Sequence, residues 1–305
     1  SPKFSEYYSQ ELPIVALWAH ECTRVFADRL ITPQDETRFA ELMQTAWQTC
    51  PVIGSQPPAL STIIPTALHI PTGYELYFGG AASQAEETPY VQVLMTKPED
   101  LSKVETYYYD HLESYNRSAG AVGKMKLVLF KYAVSHLLRI ARILSMDRGH
   151  ALLIGMPSSG KRSLTRLAAA SLSNYYNTMD RVVGPRYVYT RPSSMKIFEP
   201  TGKSEFLDSI KGAIRSAGVD ASPTLLIVQE ALADDYGLEC INFLVNLGEI
   251  PNLWAADEMN SLYEAILSDL QRERKDGTAT EDVSKTYVLE IIADRVMRNM
   301  HIVLV

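Results

Sequence analysis

His150-Ala151-Leu152-Leu153-Ile154-Gly155-Met156-Pro157-Ser158-Ser159-Gly160-Lys161-Arg162-Ser163-Leu164-Thr165-Arg166-Leu167-Ala168-Ala169 is the stretch that decides the fold. Ala151 to Ile154 reads as a short apolar strand, and the run from Arg162 reads as a helix. Between them lies the spacing GxxxxGK, from Gly155 to Lys161. A strand–GxxxxGK–helix unit is what a phosphate-binding loop requires. Glycines let the backbone curl close around phosphate, and successive N–H groups point inward. The helix N-terminus adds partial positive charge, and a lysine in the place of Lys161 reaches the outer phosphates. The cradle residues are Gly155, Pro157, Ser158, Ser159, Gly160 and Lys161, with Arg162 and Ser163 opening the helix. A bare GxxxxGK arises by chance, so the flanking strand and helix carry the weight. A loop that holds no ligand is the alternative.

The position after the lysine departs from the pattern. A phosphate loop places Ser or Thr there, whose hydroxyl holds magnesium. Here it is Arg162, and Ser163 follows one residue later, a rotation of about 100 degrees along a helix. The second metal contact should be an acidic residue ending a buried strand. Leu225-Leu226-Ile227-Val228 is such a strand, and it ends in Gln229-Glu230. Phosphate-loop ATPases put Asp at the first of these positions for magnesium, and AAA+ proteins put Glu at the second to polarise the attacking water. Gln229 is neutral and a poorer magnesium ligand. Glu230 keeps the place of the base, or else is a solvated carboxylate at a helix start. Two magnesium contacts are thus missing together, which nucleotide binding survives more easily than hydrolysis.

Working outward, the chain from Gly149 alternates strands and helices. Strand-like runs are His150–Gly155, Met195–Phe198, Thr224–Val228 and His301–Val305; helical runs are Lys161–Leu172, Ser204–Ala217, Tyr236–Leu247 and Thr286–Met300. This grammar implies an α/β fold, a parallel sheet with helices on both faces. Upstream, Leu12 to Leu30 carries helical periodicity, and Thr32-Pro33 opens a second helix through Phe39, Leu42, Met43 and Trp47. Residues 51–98 are rich in Pro, Gly, Ser and Thr and read as a linker with little regular structure. Asp100–Arg117 and Lys124–Met146 return to helical periodicity. The expected organisation is a helical subdomain over 1–50, a linker over 51–98 and the phosphate-loop domain over 99–305. Met300 to Val305 reads as a buried strand, an odd place for a natural terminus, so the chain is expected to be part of something longer.

Bulk properties narrow the rest. Of the 305 residues, 46% are hydrophobic and 21% charged, ordinary values for a globular domain. A net charge of −7 argues against a nucleic-acid surface. No apolar run approaches the roughly 20 residues of a membrane span, and the N-terminus lacks the apolar segment of a signal peptide. Cys22, Cys50 and Cys240 are far apart and show neither disulfide nor zinc spacing.

With these residues in hand a family can be named. Lys126-Leu127-Val128-Leu129-Phe130, His136-Leu137-Leu138-Arg139-Ile140 and Arg148-Gly149-His150-Ala151-Leu152-Leu153-Ile154-Gly155 resemble the entry to the fourth AAA+ module of dynein heavy chains. Gly160-Lys161-Arg162-Ser163-Leu164-Thr165-Arg166-Leu167-Ala168 continues the likeness; dyneins commonly carry glutamine where Arg162 stands. Gly248-Glu249-Ile250-Pro251-Asn252-Leu253-Trp254 with Asp257-Glu258, and Asn299 to Leu304, resemble later parts of that module, up to the strand leading to its sensor-1 residue. Leu17-Trp18-Ala19-His20-Glu21-Cys22-Thr23-Arg24-Val25-Phe26 resembles the lid helix of the preceding, third module. There Arg24 would be a sensor-2 arginine; a lid-packing arginine is the other reading. The likeness thins between Cys50 and Pro98 and over Tyr176 to Ser194, and the Ser-Leu-Thr-Arg-Leu-Ala-Ala run looks more axonemal than cytoplasmic.

The resemblance implies a nucleotide-binding regulatory module of a microtubule motor, holding ATP or ADP and hydrolysing weakly if at all. Magnesium would be poorly held. Partners would be the neighbouring AAA+ modules of the same chain, with microtubule contact made only through a stalk beyond these residues and none with nucleic acid or membrane. The location would be the cytoplasm and cytoskeleton, in a ciliary or flagellar axoneme. Two other readings stand beside it: a structural module with an empty pocket, and a free-standing phosphate-loop phosphotransferase.

Overall fold

In the computed structural model, residues 18, 21–49, 75–78, 90–93, 98–118, 123–172, 195–273 and 285–305 are described. The first part of the helix expected over Leu12 to Leu30, as far as Leu17, and the chain from Tyr176 to Ser194 lie outside the described residues. Two compact units emerge: residues 1–114 with 126–139, and residues 115–125 with 140–305.

The first unit opens on a π-helical stretch, Thr23–Ala27, followed by α1 (Pro33–Thr49). Thr32 caps α1 as expected. Its Oγ1 accepts from the Asp35 N–H at 3.2 Å and donates to the Asp35 carboxylate at 2.6 Å, while Pro33 fills the first helical position. Trp47 of α1 lies 6.2 Å, ring to ring, from Trp18. The 51–98 region departs from its reading as an irregular linker. Strand β1 (Glu75–Phe78) pairs antiparallel with β2 (Tyr90–Val93), Glu75 facing Val93 and Phe78 facing Tyr90. Tyr77-Phe78 and Tyr90-Val91 supply the aromatic and β-branched residues that favour extended chain, an alternation hidden among turn-forming neighbours.

Next come α2 (Pro98–Ser118) and α3 (Lys131–Ser145). The helix expected from Lys124 begins only at Lys131. The reason lies in α2: side chains of that helix take the backbone groups that a continuing helix would use. The Leu129 N–H donates to the Tyr109 hydroxyl at 3.0 Å. Asn116 grips Met125 at both ends, its Oδ1 accepting from the Met125 N–H and its Nδ2 donating to the Met125 carbonyl, each at 2.8 Å.

The second unit holds the sheet. Its elements in order are β3 (Ala151–Leu152), α4 (Lys161–Ser171), β4 (Lys196–Phe198), α5 (Lys203–Ile214), β5 (Thr224–Val228), α6 (Asp235–Leu247), α7 (Ala256–Glu273), α8 (Lys285–Asn299) and β6 (Met300–Leu304). The strands run parallel in the order β3-β6-β5-β4. All five residues of β5 are buried, because a central parallel strand has helices on both faces. Leu225, Leu226, Ile227 and Val228 are the apolar part of that strand, each contributing about 1.5–3 kcal/mol on burial. Around Leu226 and Val228, which share one face of the strand, gather Ile210 and Ile214 of α5, Leu244 of α6, Ile266 of α7 and Ile291 and Val296 of α8. Helix α6 ends where Gly248 turns left-handed at φ 73°, its N–H donating to the Leu244 carbonyl at 3.0 Å. Helix α7 was not anticipated. Strand β3 is shorter than the expected His150–Gly155, though the Leu153 N–H donates to the Leu304 carbonyl at 2.9 Å and extends the contact by one residue.

In a parallel sheet every strand ends on one edge. The loop after β3, Glu199 after β4, Gln229 after β5 and Val305 after β6 therefore converge on the edge where α/β proteins bind ligands.

Candidate functional site

The loop from Gly155 to Gly160 has the backbone that close phosphate approach demands. Ser158 takes φ 62° and Gly160 φ 84°, both left-handed. A glycine carries the second without strain, while Ser158 is held there against its preference. The Ser159 N–H donates to the Met156 carbonyl at 3.3 Å, and the Leu164 N–H to the Gly160 carbonyl at 2.9 Å, which starts α4 without a side-chain cap. An uncapped N-terminus leaves amide donors available to a ligand. Gly155, Pro157, Ser158 and Ser159 are exposed; Gly160, Lys161 and Ser163 are half-buried. Lys161 folds back over the loop, its Nζ donating to the Gly155 carbonyl at 2.6 Å. The ammonium is thus already held above the cradle.

The metal side is built differently. Arg162 turns away from the loop and pairs with Glu199, its Nε and guanidinium NH2 on one carboxylate oxygen. Arg166, one turn later on α4, grips the other oxygen, its Nε at 2.8 Å and its Nη2 alongside. Glu199 is only 8% exposed, against 27% for Arg166 and 44% for Arg162. Neither Glu199 nor Arg166 was singled out from the sequence. The available signals were an acidic residue directly after the Lys196-Ile197-Phe198 strand and an arginine four places after Arg162.

Gln229 leaves β5 extended and half-buried, its Nε2 3.5 Å from the Pro200 carbonyl. Glu230 is exposed and begins a short 3-10 turn; its N–H donates to the Val305 carbonyl at 3.0 Å. Magnesium takes oxygen ligands, a hydroxyl and a carboxylate at such sites. A guanidinium and a neutral amide stand at those two positions, so the residues present do not suit that ion. Among the described residues no group of three or more His, Cys, Asp and Glu could hold a metal. On the same edge Lys203 of α5 pairs with Asp234, the cap of α6. The hydrogen bond from Lys203, then that from the Gly237 N–H, holds the Asp234 carboxyl below its usual range.

Two histidines anchor the strand under the loop. His150 Nδ1 accepts from the Ile302 N–H at 3.1 Å, which requires the proton on Nε2. His301 Nδ1 lies 2.9 Å from the Gly149 carbonyl and must be its donor. Burial pushes the His150 pKa down.

Of the residues singled out from the sequence, the loop residues, Arg162, Ser163, Gln229 and Glu230 all fall in the second unit. Arg24 does not. It lies in the first, its side chain 5% exposed and 3.3 Å from Asp28.

Residues 125–305 match the family described as P-loop containing dynein motor region D4. Mouse (Mus musculus) dynein axonemal heavy chain 2 is 32% identical over 302 residues, 98% of this chain and 6% of the relative. Human (Homo sapiens) dynein axonemal heavy chain 8 is 31% identical over 301 residues, 95% of this chain and 6% of the relative. The dynein-1-beta heavy chain of the flagellar inner arm I1 complex from Chlamydomonas reinhardtii is 29% identical over 303 residues, again 98% and 6%. The chain therefore spans about 6% of the length of these relatives.

Proposed function

This chain belongs to the dynein heavy-chain family, residues 125–305 being its P-loop-containing AAA+ motor region D4, and from that premise we propose that the loop Gly155–Lys161 binds ATP or ADP as a regulatory site with little or no hydrolysis. The single observation behind this reading is the loop itself. It has left-handed Ser158 and Gly160, an uncapped α4 and Lys161 poised over Gly155, all at the carboxyl edge of a parallel sheet. The nucleotide would bring a chain of phosphates; Gly155 to Gly160 would supply N–H donors and Lys161 a charge. Little hydrolysis is expected because Arg162 and Gln229 offer no magnesium site, even though Glu230 stands where a water-polarising base belongs.

By the same reading the partners are neighbouring AAA+ modules of a longer heavy chain, and the place of work is the microtubule cytoskeleton of an axoneme. Microtubule contact is not assigned to these residues. Among the described residues no helix is long and apolar enough to cross a membrane. Arg24 serves here as a packing arginine paired with Asp28, in keeping with its burial.

A second reading, a structural module with an empty pocket, has one observation in its favour: Lys161 and Arg162 both already hold protein partners. Calorimetric titration of the chain with ATP and ADP, beside Lys161→Ala, separates the two. Micromolar binding that falls about 100-fold in the variant, ~2.7 kcal/mol, supports the nucleotide site. Absence of binding to either nucleotide establishes the structural module.

A further inference from the structure

Arg162 and Arg166 share one carboxylate, but not equally. Each holds one oxygen of Glu199 through two nitrogens, but Arg166 is half-buried at 27% exposure whereas Arg162 is exposed at 44%. With two guanidinium groups on one carboxylate, the cluster carries a surplus positive charge. Removing one partner from a buried ion pair is costly when the other is left alone. Here Arg162 can leave and Glu199 stays neutralised by Arg166.

The position of Arg162 matters as much as its freedom. A side chain directly after the loop lysine is directed to where a magnesium ion would meet the outer phosphates. Arg162 is permanently charged and offers a planar fork that suits phosphate oxygens. The amide at Gln229 removes the carboxylate that would otherwise compete for that guanidinium.

We propose, on the basis of the nucleotide reading above, that Arg162 is a built-in cation that replaces magnesium at this site. Glu199 parks it when the loop is empty, and it swings to the outer phosphates when nucleotide binds. Arg166 is the permanent partner that makes the exchange possible. Affinity for nucleotide then depends on this cluster rather than on a divalent ion. No bond is made or broken; the guanidinium exchanges a carboxylate for a phosphate.

The test is titration of the 305-residue chain with ATP in EDTA, using wild type, Arg162→Gln, Arg162→Lys, Glu199→Gln and Lys161→Ala, with thermal melting of each. Arg162→Gln should lose about tenfold in affinity in EDTA, whereas Arg162→Lys, which keeps the charge but not the fork, should lose less. Glu199→Gln should bind about three- to tenfold more tightly, because the parked guanidinium is released. The exposure of Arg162 makes its variants tolerable to the fold, so unchanged melting with weakened binding isolates the role. Equal affinity of Arg162→Gln and wild type overturns the proposal, and so does tighter binding by that variant, which would make Arg162 a plug. If wild type and Lys161→Ala are both silent, the nucleotide reading itself fails and this one falls with it.

Discussion

The two halves of the site differ in what builds them. On the phosphate side, from Gly155 to Lys161, the work belongs to the backbone: left-handed Ser158 and Gly160, open amides at the start of α4 and one lysine. On the metal side it belongs to side chains: Arg162 and Gln229 stand where a hydroxyl and a carboxylate would hold magnesium, and Arg162 is tied with Arg166 to Glu199. Backbone geometry tolerates substitution at most loop positions, while metal coordination is lost with one or two side chains. On the nucleotide reading, one half of the site can thus persist while the other is rebuilt.

The comparison breaks most sharply at Gly160. Gly160→Val forces a β-branched residue to φ 84°, at a cost of about 2 kcal/mol in stability by thermal or urea unfolding. Nucleotide binding should fall with it, while Pro157→Ala in the same loop should leave both nearly unchanged. A Gly160→Val chain as stable as wild type would mean the left-handed turn is not required.

A smaller effect sharpens the other half. The double variant Arg162→Ser with Gln229→Asp restores a hydroxyl and a carboxylate at the metal positions. Magnesium should then raise its ATP affinity about tenfold, ~1.4 kcal/mol, in a titration with and without the ion. No gain would show that the metal site is lost for reasons beyond these two residues.

The smallest effect concerns the strand beneath the loop. Burial depresses the His150 pKa in the folded chain, so below the ordinary histidine value near 6.5 the unfolded chain binds the proton more readily. Stability is therefore full above about pH 6.5 and declines as pH falls below it. His111 and His136, also pushed down by burial, contribute to the same decline in the first unit. His150→Asn retains an acceptor for the Ile302 N–H but cannot titrate, so its melting temperature should fall less than that of wild type between pH 7.5 and pH 5.5. Identical slopes would remove His150 from the account.

Much of this was legible in the residues. The phosphate loop, β5 and the cap at Thr32 announce themselves because each rests on local chemistry: fixed spacing, an unbroken apolar run, a hydroxyl three residues before an amide. What escaped depends on distant partners. Lys124 to Phe130 has helical apolar spacing, yet Asn116 and Tyr109 capture its backbone from another helix. Helix α7 buries Leu262 and Ile266 but is otherwise studded with acidic and polar residues, so its stripe is thin. Glu199 lies 37 residues from Arg162 in the chain, and only the parallel order β3-β6-β5-β4 brings the ends of α4 and β4 together.

The most direct measurement is the ATP affinity of the unaltered chain in magnesium and again in EDTA. The account expects micromolar binding in both, with the two values within about threefold. Binding that appears only with magnesium would contradict it, because Arg162 offers no oxygen ligand and Gln229 only a neutral amide oxygen.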